Sequence, residues 1–300
     1  MSRIDEAWSR ASGRVPYSRE SAARADRLDE PPETVLHRFP RESEPSGTSA
    51  EAPDRLLPRA TPWAEGRRKL GALHGEFERK LVVSSDAAPI AVEQYRRLAG
   101  ALHELQVEQG LKTLMVTSTL PNEGKTLTAA NLALTLSESC ERRVLLIDAD
   151  LRHPFLHEVF GLSNATGLSD MLRSERDEIP LVQVSEFLSV LPAGHLDQPM
   201  ALTSDRMRVL LDQFTAGFDW VVIDAAPVGF IPDAQLLARL TRAVLFVIAA
   251  NSTPHVLVSR AIAALGPECV VGTVLNYVET HNIPAAGYYE AYYPPDHPAD

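Results

Sequence analysis

The sequence predicts an α/β fold: a mostly parallel sheet with helices on both faces, preceded by a largely disordered N-terminal segment. Three observations carry this reading. From about residue 88, short apolar runs alternate with segments of helical period. Near-continuous apolar strands belong to parallel sheets covered on both sides. With 45% of its 300 residues apolar, the chain can fill one core of ordinary size. Residues 1–66, in contrast, hold eight of the 22 prolines among Arg, Glu and Ser. Such a stretch buries too little apolar surface to offset its ordering entropy.

Taken in order, Ile4, Ala7, Trp8 and Ala11 share one face of a short helix. It reads either as a fraying end or as a docking helix for a partner. IAVEQYRRLAGALHELQVEQ predicts a helix of about five turns, followed by LKTLMVTS, a strand. Further strands are VLLID (144–148), FLSVLPAG (187–194), WVVID (220–224), AVLFVIAA (243–250) and VVGTVLN (270–276). Helical period marks 126–139, 201–214 and 255–266. The organisation is therefore 1–84, short helix and linker; 85–281, the α/β domain; and 282–300, a tail.

Composition removes several classes of function. Asp+Glu 40 against Lys+Arg 29 gives a net charge of −11, which argues against holding nucleic acid or an anionic membrane by charge. Cys140 and Cys269 make neither a disulfide framework nor a zinc ribbon. No apolar run is long enough to span a bilayer, and the start has no apolar leader. A soluble, cytoplasmic protein is expected. His153 and His157, at i and i+4, lack a third ligand and read as surface histidines.

The chemistry concentrates at strand ends. Strand TLMVTS runs through TLPNEGKT into a helix, placing Gly124-Lys125-Thr126 where free amides and the helix dipole favour phosphate. This is a P-loop NTPase-like junction, with Pro121, Asn122, Glu123, Gly124, Lys125, Thr126 and Leu127 as its nucleotide-binding run. Lys125 would reach the β- and γ-phosphates of ATP, and the Thr126 hydroxyl would ligate Mg²⁺. Thr119 stands where such a motif has its first glycine. Asp148 and Asp150 close a second strand, with Arg152 two residues on; Asp224 closes a third. Acids at strand ends beside a phosphate loop are the usual anchors of Mg²⁺.

TSTLPNEGKT, LLIDADLR and VVIDAAP together resemble the Walker A, A′ and B motifs of bacterial tyrosine kinases. The likeness runs through EQYRRL, TGLSDML, SDRMRVLL, PDAQLLA and VLNYVE, over roughly residues 85–293. It is similar above all to the stand-alone cytoplasmic autokinases of exopolysaccharide and capsule production. That resemblance implies Mg·ATP as co-substrate, with Lys125, Asp148, Asp150 and Asp224 in catalysis and Asp148 the candidate base. It implies Arg152 and Asn276 at the nucleotide, Asn276 reading either as an adenine contact or as a plain turn residue. It also implies a homo-oligomer that phosphorylates a tail cluster between subunits, here Tyr288, Tyr289, Tyr292 and Tyr293. A membrane chain-length protein would activate the kinase and recruit it to the inner face of the membrane. The family's oligomerisation helix reads Glu-x-x-Arg-x-x-Arg; Glu93 and Arg96 match, and Ala99 replaces the last Arg. Walker B continues as Ala225-Ala226-Pro227 where the family usually has Thr-Pro-Pro. Alternatives are a non-catalytic ATP-dependent scaffold and a partition-type ATPase, which Leu120 disfavours by occupying the signature-lysine position.

Overall fold

The structure, a computed structural model, describes residues 77–84, 87–173, 181–194, 205–229 and 232–279. The helix expected around Trp8, residues 201–204 and the tyrosines at 288–293 lie outside these residues. The first long element is α1, Pro89–Gln109. Proline at its first position costs no hydrogen bond, and Gly110 ends it in the left-handed region, its N–H donating to Gln106 O. Strand β1, Thr113–Ser118, leads through the Gly-Lys-Thr loop into α2, Lys125–Leu134.

Sequence period predicts one helix over 126–139, but α2 gives way to a π-turn at Thr135–Ser139. Thr135 Oγ1 donates to Asn131 O and Ser137 Oγ to Leu134 O, so hydroxyls compete for the carbonyls that a regular helix would use. Then come β2 (Val144–Ala149), α3 (Leu156–Val159), α4 (Leu168–Arg173), β3 (Val182–Gln183) and β4 (Leu188–Leu191). The chain continues through α5 (Asp205–Gly217), β5 (Trp220–Ala225), α6 (Pro232–Thr241), β6 (Val244–Ala249), α7 (His255–Leu265) and β7 (Val270–Asn276).

The sheet order is β3-β4-β2-β5-β1-β6-β7. Every pairing is parallel except β3 with β4. Alternation along the strands divides the core between the two faces. Leu114, Val116, Leu146, Val222 and Leu245 pack with Leu102 of α1 and Leu132 of α2. Met115, Ile147, Ile223 and Phe246 pack with Met207 and Phe214 of α5 and Leu237 of α6. Each such side chain, fully withdrawn from water, contributes about 1.5–3 kcal/mol. Leu81 joins the α1 side of the core, and Asn131 holds that segment by accepting from Val82 N and donating to Lys80 O.

Ala99 is 1% exposed in the same cluster, so the third position of the Glu-x-x-Arg-x-x-Arg pattern faces the core. Glu93 pairs with Arg97, one turn on, at 3.3 Å. β1 has β5 and β2 on one side and β6 and β7 on the other, an arrangement that sorts the two sides of the site.

Candidate active site

The loop after β1 turns through two left-handed residues, Asn122 (φ 64°) and Gly124 (φ 87°), on either side of Glu123. Asparagine tolerates that conformation better than other non-glycine residues. At Gly124 a side chain would also collide, its Cβ falling 2.0 Å from Asn276 Nδ2. Such turns aim successive amides into one concavity, and the first amides of α2 have no partner within the helix. The result is an anion-binding cradle at a helix N-terminus.

Lys125 does not stand out into solvent, as a loop lysine would; it is 9% exposed. Its ammonium curls inward, 2.9 Å from Asp150 Oδ2 and 3.8 Å from Asp224 Oδ1, and donates to Thr126 Oγ1 at 3.3 Å. Burial alone would lower its pKa, but Asp224 and Asp150 outweigh burial and hold it above the ordinary lysine value.

The acids are placed by the sheet. Asp148 and Asp224 are register partners on neighbouring β2 and β5, and Asp150 follows just beyond β2. Burial, reinforced by the charge of Asp224, pushes Asp148 up to about 8. Burial pushes Asp224 up to about 6, against the opposing charge of Lys125. Asp148 Oδ2 accepts from Phe155 N and Leu156 N, closing the turn before α3. Its Oδ1, and both carboxylate oxygens of Asp224, are buried without a hydrogen-bond partner among the described residues. Orphaned, desolvated carboxylate oxygens beside a threonine hydroxyl and an anion cradle fit a hard cation such as Mg²⁺. Among the described residues no three His, Cys, Asp or Glu side chains converge as a cage.

Residues named from the sequence thus divide. Lys125, Thr126, Asp150 and Asp224 meet, and Asp148 stands beside Asp224 across the β2–β5 ladder. Pro121 and Asn122 are exposed at the loop's rim, and Leu127 is half-buried at the start of α2. Arg152, two residues beyond Asp150, is exposed and lies 3.6 Å from Asp233 Oδ2 at the start of α6. Asn276 belongs to the loop: its Nδ2 donates to Glu123 O at 2.9 Å, and the Tyr277 hydroxyl donates to Asn122 O at 3.3 Å. Asp233 and Thr253, which touch Arg152 and Glu123, were not legible; an acid in a first helical turn and a turn threonine are unremarkable in sequence.

Residues 114–283 match the family model of the CobQ/CobB/MinD/ParA nucleotide-binding domain. Over 219 residues the chain is 32% identical to the tyrosine-protein kinase YwqD of Bacillus subtilis, covering 71% of this chain and 92% of that one. The crystal structure of the chimerical protein CapA2B2 superposes with a TM-score of 0.60 at 27% identity, over 66% of this chain and 90% of that one. The kinase domain of the Escherichia coli tyrosine kinase Etk superposes with a TM-score of 0.57 at 32% identity, over 63% and 76%. Among the described residues no helix is long and apolar enough to cross a membrane.

Proposed function

Since the chain belongs to the bacterial tyrosine kinases, a family of P-loop protein-tyrosine kinases, we propose that it transfers the γ-phosphate of ATP to its own Tyr288, Tyr289, Tyr292 and Tyr293. The observation that carries the reading is the buried group of Lys125, Asp150 and Asp224 at the mouth of an anion cradle, with orphaned acid oxygens beside it.

The loop amides and Lys125 bind the β- and γ-phosphates, the ammonium exchanging Asp150 for phosphate oxygen. Thr126, Asp148, Asp150 and Asp224 would hold Mg²⁺, directly or through waters. When bound, that ion supplies neutralising charge at the β- and γ-phosphates. A tyrosine oxygen forms a bond to the γ-phosphorus as the bond from that phosphorus to the β–γ bridging oxygen breaks, and ADP leaves with the bridging oxygen. The phenolic proton passes to Asp148 in its ionised form, at the Oδ1 that no protein group holds, while its Oδ2 is held by two amides. Most of the rate comes from positioning and charge neutralisation, because the transition state of phosphoryl transfer is loose.

Transfer between subunits of a homo-oligomer, activation by a membrane chain-length protein, recruitment to the inner membrane face through it and control of exopolysaccharide or capsule export complete the proposal. Its support is the resemblance of the motifs. The deciding experiment incubates the purified chain with Mg·ATP and locates phosphotyrosine by peptide mass spectrometry. Phosphate on the tail cluster, lost when those four tyrosines become Phe while ATP binding persists, is the expected result. Phosphate mainly on Tyr17, Tyr95 or Tyr277 would overturn the tail assignment, and its complete absence would favour the scaffold.

A further inference from the structure

An acid inside an anion-binding loop is unexpected, and the chemistry above gives the Glu123 side chain no task. It is 3% exposed. Its carboxylate accepts from Leu120 N at 2.6 Å, from Ala249 N at 3.5 Å and from the Thr253 hydroxyl. Its carbonyl accepts from Asn276 Nδ2 at 2.9 Å. One residue therefore ties the loop to itself, to the turn after β6 and to the end of β7.

The two sides of β1 have different tasks. The ends of β5 and β2 carry the acids that face Lys125, so the γ-phosphate lies on that side. The nucleoside end of ATP then leaves along the β6–β7 side, where Glu123 is anchored. We propose that Glu123 is a positioning residue: it locks the phosphate loop against the β6–β7 edge and so sets affinity for ATP without touching the reacting atoms.

Three points make a glutamate the right residue. All three groups on its carboxylate are donors, so an acceptor-only side chain satisfies them, whereas an amide would turn an N–H₂ toward one of them. Spending the carboxylate on these donors turns its charge away from the cradle. Asn122 is a non-glycine residue in the left-handed region, and the ties from the neighbouring Glu123 help to hold it there.

The inference rests on the reading that this loop binds ATP, and the test separates the two. ATP affinity is measured by calorimetry, and KM and kcat by phosphotyrosine formation, for the full chain and for Glu123→Gln, Thr253→Val and Thr253→Ser. Losing one hydrogen bond to a charged group should raise Kd and KM for ATP about tenfold in Glu123→Gln, with kcat little changed. Thr253→Val should raise them less, Thr253→Ser should behave as wild type, and Glu123→Gln/Thr253→Val should be no worse than Glu123→Gln alone. Unchanged affinity in Glu123→Gln, a fall in kcat alone or additive effects would overturn the positioning role while leaving the ATP site standing. If Glu123→Gln fails to fold, the Thr253 pair decides, and equal affinity of its Val and Ser variants overturns the proposal. A wild-type chain that binds no ATP removes both readings.

Discussion

Replacing Lys125 by Met should destabilise the nucleotide-free protein, although a loop lysine reads from sequence as a surface group whose loss spares the fold. The side chain is almost wholly withdrawn from water and bridges two buried acids. Removing one member of a buried ion pair costs about 3–5 kcal/mol, because the partner charges remain. For a domain of this size, about 3 kcal/mol lowers Tm by roughly 6–12 °C. The sign of the pH dependence follows from Asp224. Its folded-state pKa, about 6 with Lys125 in place, rises further without the lysine. A carboxylate whose folded pKa exceeds its unfolded one weakens the fold as pH rises from the unfolded value, near 3.9, through the folded one. The gap between wild type and Lys125→Met should therefore be small up to about pH 6, where wild-type Asp224 ionises, and widen above it as pH rises toward the higher pKa of Asp224 in the variant. Melting curves at pH 4.5, 6 and 8 without nucleotide read it directly, and adding Asp150→Asn should recover part of the loss. A variant that melts with wild type at pH 8, or a gap that does not change with pH, would refute the buried-pair argument. ATP turnover should be abolished in the same variant at every pH.

Asp148→Asn should flatten the pH dependence of stability in cation-free buffer. Asp148, pushed up to about 8 by burial, weakens the wild-type fold between about pH 4 and 8 at roughly 1.4 kcal/mol per pH unit. Parallel melting slopes for the two proteins would contradict this. Ala99→Arg, which restores the family pattern, should lower Tm rather than tighten self-association, since position 99 is buried; light scattering and melting together decide, and a larger assembly at unchanged Tm would speak against it. Deleting residues 1–66 should leave ATP affinity unchanged, and a large fall in Tm on truncation would show that the segment packs on the domain.

Much of this was readable in advance, for physical reasons. Buried parallel strands must be apolar along their length, so VLLID, WVVID and AVLFVIAA declared themselves, as did the acids that end two of them. Gly124 and Lys125 were legible because strand, loop and helix fix where a phosphate can sit. The inward turn of Lys125 was not, since it depends on Asp150 and Asp224, which reach the lysine only through the folded sheet. The π-turn after Leu134 escaped because the hydrophobic period continues through it while hydroxyls rearrange the backbone. The two-residue β3 carries too little pattern to stand out. Glu123 was seen as part of the loop, but its partners Ala249 and Thr253 are more than 120 residues away.

The pairing of Asp148 with Asp224 across β2 and β5 has a further consequence. Their separation is set by the spacing of hydrogen-bonded strands, about 4.8 Å, as a lattice constant is set in a crystal. The connections around them, through α3, α4 and α5, can lengthen, shorten or change composition without altering it. A single-residue deletion within β5 has the opposite effect: it slips the ladder by one and turns Asp224 to the other face of the sheet. The spacing of Asp148 and Asp224 is thus insulated from drift in the loops and exposed to frame errors in two six-residue strands. Insertion and deletion scanning should draw that boundary sharply at Val144–Ala149 and Trp220–Ala225.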